Sequence, residues 1–133
     1  MAMSDTLEAF IVEDSPLIRE QLALMLEDLT NVKVIGFADN ESDAAAALAG
    51  SATSATLVVV DIFLRQGSGL SLLRNEGLRR DGRCFVVLTN DATSDIRNEA
   101  LRLGAERVFD KSRQIDELVR YCEEMGGRSR GGG

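Results

Sequence analysis

The stretch Thr56–Leu70, TLVVVDIFLRQGSGL, decides the reading of this chain. Four apolar residues, Leu57–Val60, run straight into a carboxylate, Asp61, and a glycine-bearing turn leads into a second apolar run. A continuous apolar run of this length suits a strand buried on both faces, as in the centre of a parallel sheet. The acid at its end asks for a reason, because a buried strand gains nothing by closing on a charge.

Working outward, short strand-like runs appear at Ala9–Val12, Val32–Phe37, Phe85–Leu88 and Arg107–Phe109. Helical patterns lie between them. The first opens at DSPLIRE, where Ser15 can cap and Pro16 already has the φ of a first helical residue. Its apolar stripe is Leu17, Ile18, Leu22, Met25, Leu26 and Leu29, with Gln21 as a polar gap. Further helices are expected at Ser42–Leu48, closed by Gly50, at Leu70–Glu76, at Asp95–Leu103 and over QIDELVRYCEEM, Gln114–Met125. The last carries Ile115, Leu118, Val119, Cys122 and Met125 on one face. Residues 126–133 are rich in glycine and read as a flexible tail. Strands alternating with helices define an α/β fold with a parallel sheet covered on both faces and right-handed crossovers. One domain over residues 6–125 accounts for the pattern.

Composition narrows the chemistry. The 133 residues contain no histidine and two cysteines, Cys84 and Cys122, without metal-ligand spacing. Zinc sites and histidine-based nucleophilic catalysis are therefore disfavoured, and the cysteines read as reduced, packed thiols. The net charge is −7, split as −9 over residues 1–64 and +2 over residues 65–133. Such a chain is a poor ligand for nucleic-acid phosphates. No apolar run approaches the roughly 20 residues that span a bilayer. No nucleic acid and no membrane are the expected partners, and a cytoplasmic location is the default.

Ligands of open parallel sheets bind beyond the carboxyl ends of the strands. Here those ends supply Glu13 and Asp14, then Asp61, then Thr89, Asn90 and Asp91, then Asp110 and Lys111. Asp39, after the second strand, reads as peripheral. One strand-end aspartate is ordinarily a turn or cap residue; acids, a hydroxyl and an ammonium at four strand ends are a different matter. Carboxylates this close repel one another and lose hydration, a conflict that a hard divalent cation such as Mg2+ resolves. Asp61 could then act as a carboxylate nucleophile toward a phosphoryl group, with Lys111 and Thr89 answering the developing charge.

In VEDSPLIRE, VVVDIFLRQGSGL, VVLTN and LGAERVFDKS, in this order and spacing, the sequence resembles the receiver domain of bacterial two-component response regulators over about Thr6–Met125. The resemblance implies a flavodoxin-like (βα)5 sandwich with strand order 2-1-3-4-5. It implies Asp61 as phosphoacceptor, Asp14 and Asp61 as direct Mg2+ ligands, Glu13 holding a metal-bound water, and the backbone carbonyl of Phe63 completing the set. Thr89 is similar to the switch hydroxyl and Lys111 to the lysine that pairs with the phosphoryl oxygens. The implied partners are a sensor histidine kinase or histidine phosphotransfer protein, and a downstream protein docked on the face of the fourth helix, fifth strand and fifth helix. Arg97, Arg102, Arg107, Arg113 and Arg120 lie near that face. A homodimer is left open. The implied protein is a stand-alone receiver that catalyses only its own phosphorylation and dephosphorylation and is otherwise no enzyme.

Three positions depart from the family pattern. Ser112 follows Lys111 where a cis-linked proline is usual, so a trans bond with a reshaped loop or a strained bond is expected. The switch aromatic is replaced by Val108, and the neighbouring Phe109 should point into the core on the opposite face of the strand. Arg65 stands where the family has proline. These departures keep an alternative open, a receiver-like binding module that works without phosphorylation. A phosphohydrolase would need a proton-transferring residue at Phe63, and a dinucleotide-binding domain would need a glycine-rich turn after the first strand; neither is present.

Overall fold

The computed structural model describes residues 6–49, 53–78 and 83–131, with 126–131 described by backbone alone. Strand β1 (Leu7–Val12) leads to helix α1 (Pro16–Leu29), β2 (Val32–Ala38), α2 (Glu41–Leu48) and β3 (Leu57–Val60). Then come α3 (Gly69–Arg74), a 3-10 turn (Glu76–Leu78), β4 (Cys84–Thr89), α4 (Ser94–Arg102), β5 (Arg107–Asp110) and α5 (Ile115–Gly131). All neighbouring strands pair in parallel, in the order β2-β1-β3-β4-β5. This is the flavodoxin-like sandwich implied by the resemblance.

Alternation along each strand sends successive side chains to opposite faces, so the sheet separates two cores. Phe10, Val12, Val58, Val60, Val87 and Val108 pack toward α2, α3 and α4, with Ala44, Leu48, Leu72, Leu73 and Ala100. Ala9, Ile11, Leu57, Val59, Val86, Leu88 and Phe109 pack toward α1 and α5, with Leu22, Leu26, Leu118, Tyr121 and Cys122. Phe109 therefore does enter the core, 5.9 Å from the Tyr121 ring. Because both faces are covered, every residue of β3 is buried, which is why LVVV contains no polar position.

Several boundaries differ from the sequence reading. In α1 only Leu22 and Leu26 are fully buried, while Leu17 and Leu29 are 63% and 56% exposed, because the apolar arc is wider than the strip that meets the sheet. Helix α3 stops at Arg74: Asn75 leaves helical geometry, its N–H bonds Leu72 O, and its side chain accepts the Gly77 amide at 3.2 Å. Helix α5 continues past Met125 to Gly131, so the segment read as a flexible tail is helical backbone through 131. Extending an anchored helix costs far less than nucleating one, which is how glycines can follow a packed stripe. Gly50, expected to close α2, lies outside the described residues. Among the described residues no helix is long and apolar enough to cross a membrane.

Candidate functional site

The strand order places the ends of β1, β3, β4 and β5 side by side, and their terminal residues meet there. Glu13, Asp61 and Thr89 are the buried polar residues of the described chain. Lys111 reaches across from β5 and donates to Glu13 Oε1 at 2.6 Å and Asp61 Oδ2 at 2.9 Å. Its side chain is only 9% exposed. Two carboxylates and one ammonium held this far from water are a costly arrangement for stability alone.

Backbone groups fix the acids. The Ser15 amide donates to Glu13 Oε2 at 3.0 Å, and Ser15 Oγ in turn accepts the Ile18 amide at 3.3 Å, capping α1. Asp61 Oδ1 accepts the Phe63 amide at 3.2 Å. Asp14 Oδ2 accepts the Arg65 amide at 2.7 Å, with the Arg65 guanidinium 3.9 Å away. The carbonyl oxygen of Glu13 accepts from Arg19, whose guanidinium also lies 4.0 Å from the Phe37 ring centroid. Behind the site, a Cβ on Gly69 would sit 2.4 Å from the Asp61 carbonyl oxygen, so only glycine lets α3 start this close to the strand end.

Oxygens of Glu13, Asp14 and Asp61 all lie within 4.8 Å of one another, a hard, all-oxygen donor set that could hold a metal ion. The electrostatics match that crowding. Burial pushes the Glu13 carboxyl up, with a contribution from the Asp61 charge, against the hydrogen bonds from Lys111 and Ser15. Burial works against the Lys111 charge, but its bonds to Glu13 and Asp61 and their charges outweigh it, and the ammonium is held above the usual lysine range.

Other sequence-predicted residues take distinct places. Thr89 is fully buried; its hydroxyl accepts the Asp91 amide at 3.3 Å and its carbonyl accepts the Lys111 amide at 2.9 Å. Val108 is buried on the α4 side of the sheet, and its carbonyl accepts from Arg97 at 2.7 Å. Phe63 leaves its ring 54% exposed beside the acids. Lys111 and Ser112 are joined without a cis bond, none being present among the described residues. The loop is organised instead by Asp110, whose Oδ1 accepts the Ser112 amide at 2.8 Å and hydroxyl at 2.6 Å. Those two bonds hold the Asp110 carboxyl below its usual range.

Sequence reasoning missed Glu41. Its Oε1 accepts the Ser68 amide at 3.0 Å, its Oε2 accepts the Ser71 hydroxyl at 2.7 Å, and its own amide donates to the Gln66 carbonyl at 3.1 Å. Read alone, an acid in the first turn of a helix is a dipole partner, and nothing local announces contacts 27 and 30 residues away.

Comparison with known proteins defines the class. The response regulator receiver domain family matches residues 9–123, and the chain belongs to it. The transcriptional regulatory protein CitB of Klebsiella pneumoniae is 32% identical over 106 residues, 80% of this chain and 43% of that protein. A nitrate/nitrite response regulator protein homolog of Haemophilus influenzae is 28% identical over 126 residues, 92% of this chain and 58% of its own length. The chain thus spans about half the length of the curated relatives it matches. Among solved structures, a LuxR-family two-component response regulator from Aurantimonas superposes with a TM-score of 0.81 at 23% identity, covering 92% of this chain and 86% of that one.

Proposed function

We propose that this receiver domain accepts a phosphoryl group on Asp61 in a Mg2+-dependent transfer from a phosphohistidine, carried by a sensor histidine kinase or a histidine phosphotransfer protein. The observation that carries the reading is the Lys111 ammonium bridging buried Glu13 and Asp61, with Asp14 inside the same oxygen cluster. In the transfer a carboxylate oxygen of Asp61 forms the P–O bond as the P–N bond to the donor imidazole breaks, and the imidazole leaves with the electron pair. A bound Mg2+, held by Asp14, Asp61, the Phe63 carbonyl and a water on Glu13, would neutralise phosphoryl charge. Lys111, already charged and in place, supplies the fixed positive group on the other side. Thr89, at the end of β4, supplies the hydroxyl that answers the added charge.

An apolar groove of about 380 Å³ runs from Lys111 between α1 and α5, past Ile18, Met25 and Ile115. It supports a protein as donor. Phe63, two residues after Asp61, stands where a phosphohydrolase of this kind would carry a second acid and cannot itself transfer protons, which supports chemistry confined to Asp61. The face of α4, β5 and α5 is the proposed docking surface for a downstream protein. Three of its arginines are engaged within the fold: Arg97 on the Val108 carbonyl, Arg102 on Glu99, and Arg107 over the Tyr121 ring. The expectation of no nucleic-acid partner concerns only the electrostatics of these 133 residues, since the Klebsiella relative is named a transcriptional regulator.

The aliphatic Val108 favours a second reading, a docking module that binds its partner without phosphorylation. Intact mass after incubation with acetyl phosphate separates the two. A single phosphoryl adduct that needs Mg2+ and is absent from Asp61→Asn supports phosphotransfer. No adduct from either a small donor or a phosphohistidine protein leaves the docking module.

A further inference from the structure

The loop after Asp61 carries two parts of the site, the Phe63 backbone and the Arg65 amide that holds Asp14. Within itself it has one short bridge, Phe63 to Ser68, and the Gly69 amide on the Ile62 carbonyl. Its far side is held by α2. The Glu41 carboxylate spends one oxygen on the Ser68 amide and the other on the Ser71 hydroxyl, while the Glu41 amide binds the Gln66 carbonyl. The fit is close: Gly67 has φ +85°, and a Cβ there would fall 2.3 Å from the Glu41 Cβ.

We propose that Glu41 is a positioning residue for the cation site, stapling the Ile62–Ser68 loop so that the Phe63 carbonyl and the Arg65 amide stay in register with Asp14 and Asp61. The proposal rests on the reading of Glu13, Asp14 and Asp61 as a Mg2+ site. Glu41 is not one of the acids whose oxygens cluster at the site, which are Glu13, Asp14 and Asp61; its own oxygens hold the loop. Its effect passes through backbone geometry. Without the carboxylate the Ser68 amide and the Ser71 hydroxyl are released, only the backbone bond from the Glu41 amide to Gln66 remains, and the loop can drift from Asp14. A ligand set that must be reassembled binds more weakly.

The test follows the amide shifts of Asp14 and Arg65 as Mg2+ alone is added, with no phosphodonor, alongside urea unfolding of each variant. Glu41→Ala should bind Mg2+ about tenfold more weakly than wild type. Glu41→Gln should restore most of the affinity, since its oxygen still accepts from Ser68 and its amide can donate to Ser71. Ser71→Ala, which removes one bond, should lose roughly threefold. If the wild type binds no Mg2+, the magnesium reading fails and this proposal falls with it. Wild-type affinity in Glu41→Ala overturns the Glu41 role alone, and so does equal weakening in Glu41→Gln, which would point to charge rather than positioning. Should Glu41→Ala not fold, wild-type affinity in Ser71→Ala overturns the role instead.

Discussion

The Lys111 ammonium donates to Asp61 Oδ2 at 2.9 Å across a sequence separation of 50 residues, and the same nitrogen lies 2.6 Å from Glu13 Oε1. Parallel topology makes this possible: β3 is flanked by β1 and β4, and β5 follows β4, so one long side chain spans the strand ends. The lysine is the cation that lets two buried carboxylates coexist.

Removing it should therefore expose the repulsion it masks. In metal-free buffer, Lys111→Met should be less stable than wild type by about 3 kcal/mol, the usual cost of breaking a buried ion pair from one side. Mg2+ should then raise the urea midpoint of the variant more than that of wild type, because the ion replaces the missing charge. Equal gains in both proteins would mean that Lys111 and the metal do not share a site.

At the opposite end of the sheet, Arg83 stabilises without any part in the chemistry. Its guanidinium donates to the carbonyls of Ala55, Leu48, Leu78 and Thr53 at 2.9–3.3 Å, tying the end of α2, the entry to β3 and the 3-10 turn together. Arg83→Ala leaves several partly buried carbonyls without a donor and should cost about 3 kcal/mol in urea unfolding. Lysine, a single-point donor, should recover only part of it. A loss under about 0.5 kcal/mol, the level of an ordinary surface substitution, would contradict this.

Burial in the α5 core pushes the Cys122 thiol up to about 12 from its ordinary 9.0. The folded state therefore favours the neutral thiol. That contribution to stability is complete below pH 9 and is lost as the pH climbs toward 12. At pH 8 the native thiolate fraction should be about a thousandfold below that of the unfolded chain. Iodoacetamide should then leave Cys122 unmodified in the native protein and label it in denaturant, as read by peptide mass; rapid native labelling would contradict the packing.

Much of this was legible from residue order. Short strand-like runs, three of them continuously apolar, located the strands, and the residues ending four of them included the acids and the lysine now found together. The capped start at Ser15-Pro16 also matched, because a cap is a local device. What escaped was set by distant partners. Glu41 looked like a helix-start acid until the fold brought Ser68 and Ser71 to it. Leu17 and Leu29 satisfied a helical period without meeting the sheet, since periodicity shows which side is apolar and not how wide the contact is. The loop after Lys111 could be read only as a departure; the Asp110–Ser112 bonds that organise it needed coordinates.

The central claim, that Asp61 receives the phosphoryl group, is tested most directly by trapping. An acyl phosphate on aspartate is reduced by borohydride to homoserine, whereas a phosphoserine or phosphothreonine is not. After reaction with Mg2+ and acetyl phosphate, reduction and peptide mass mapping should find homoserine at position 61 and nowhere else. Homoserine at another acid, or none in a sample whose intact mass carries the phosphoryl group, would contradict the account.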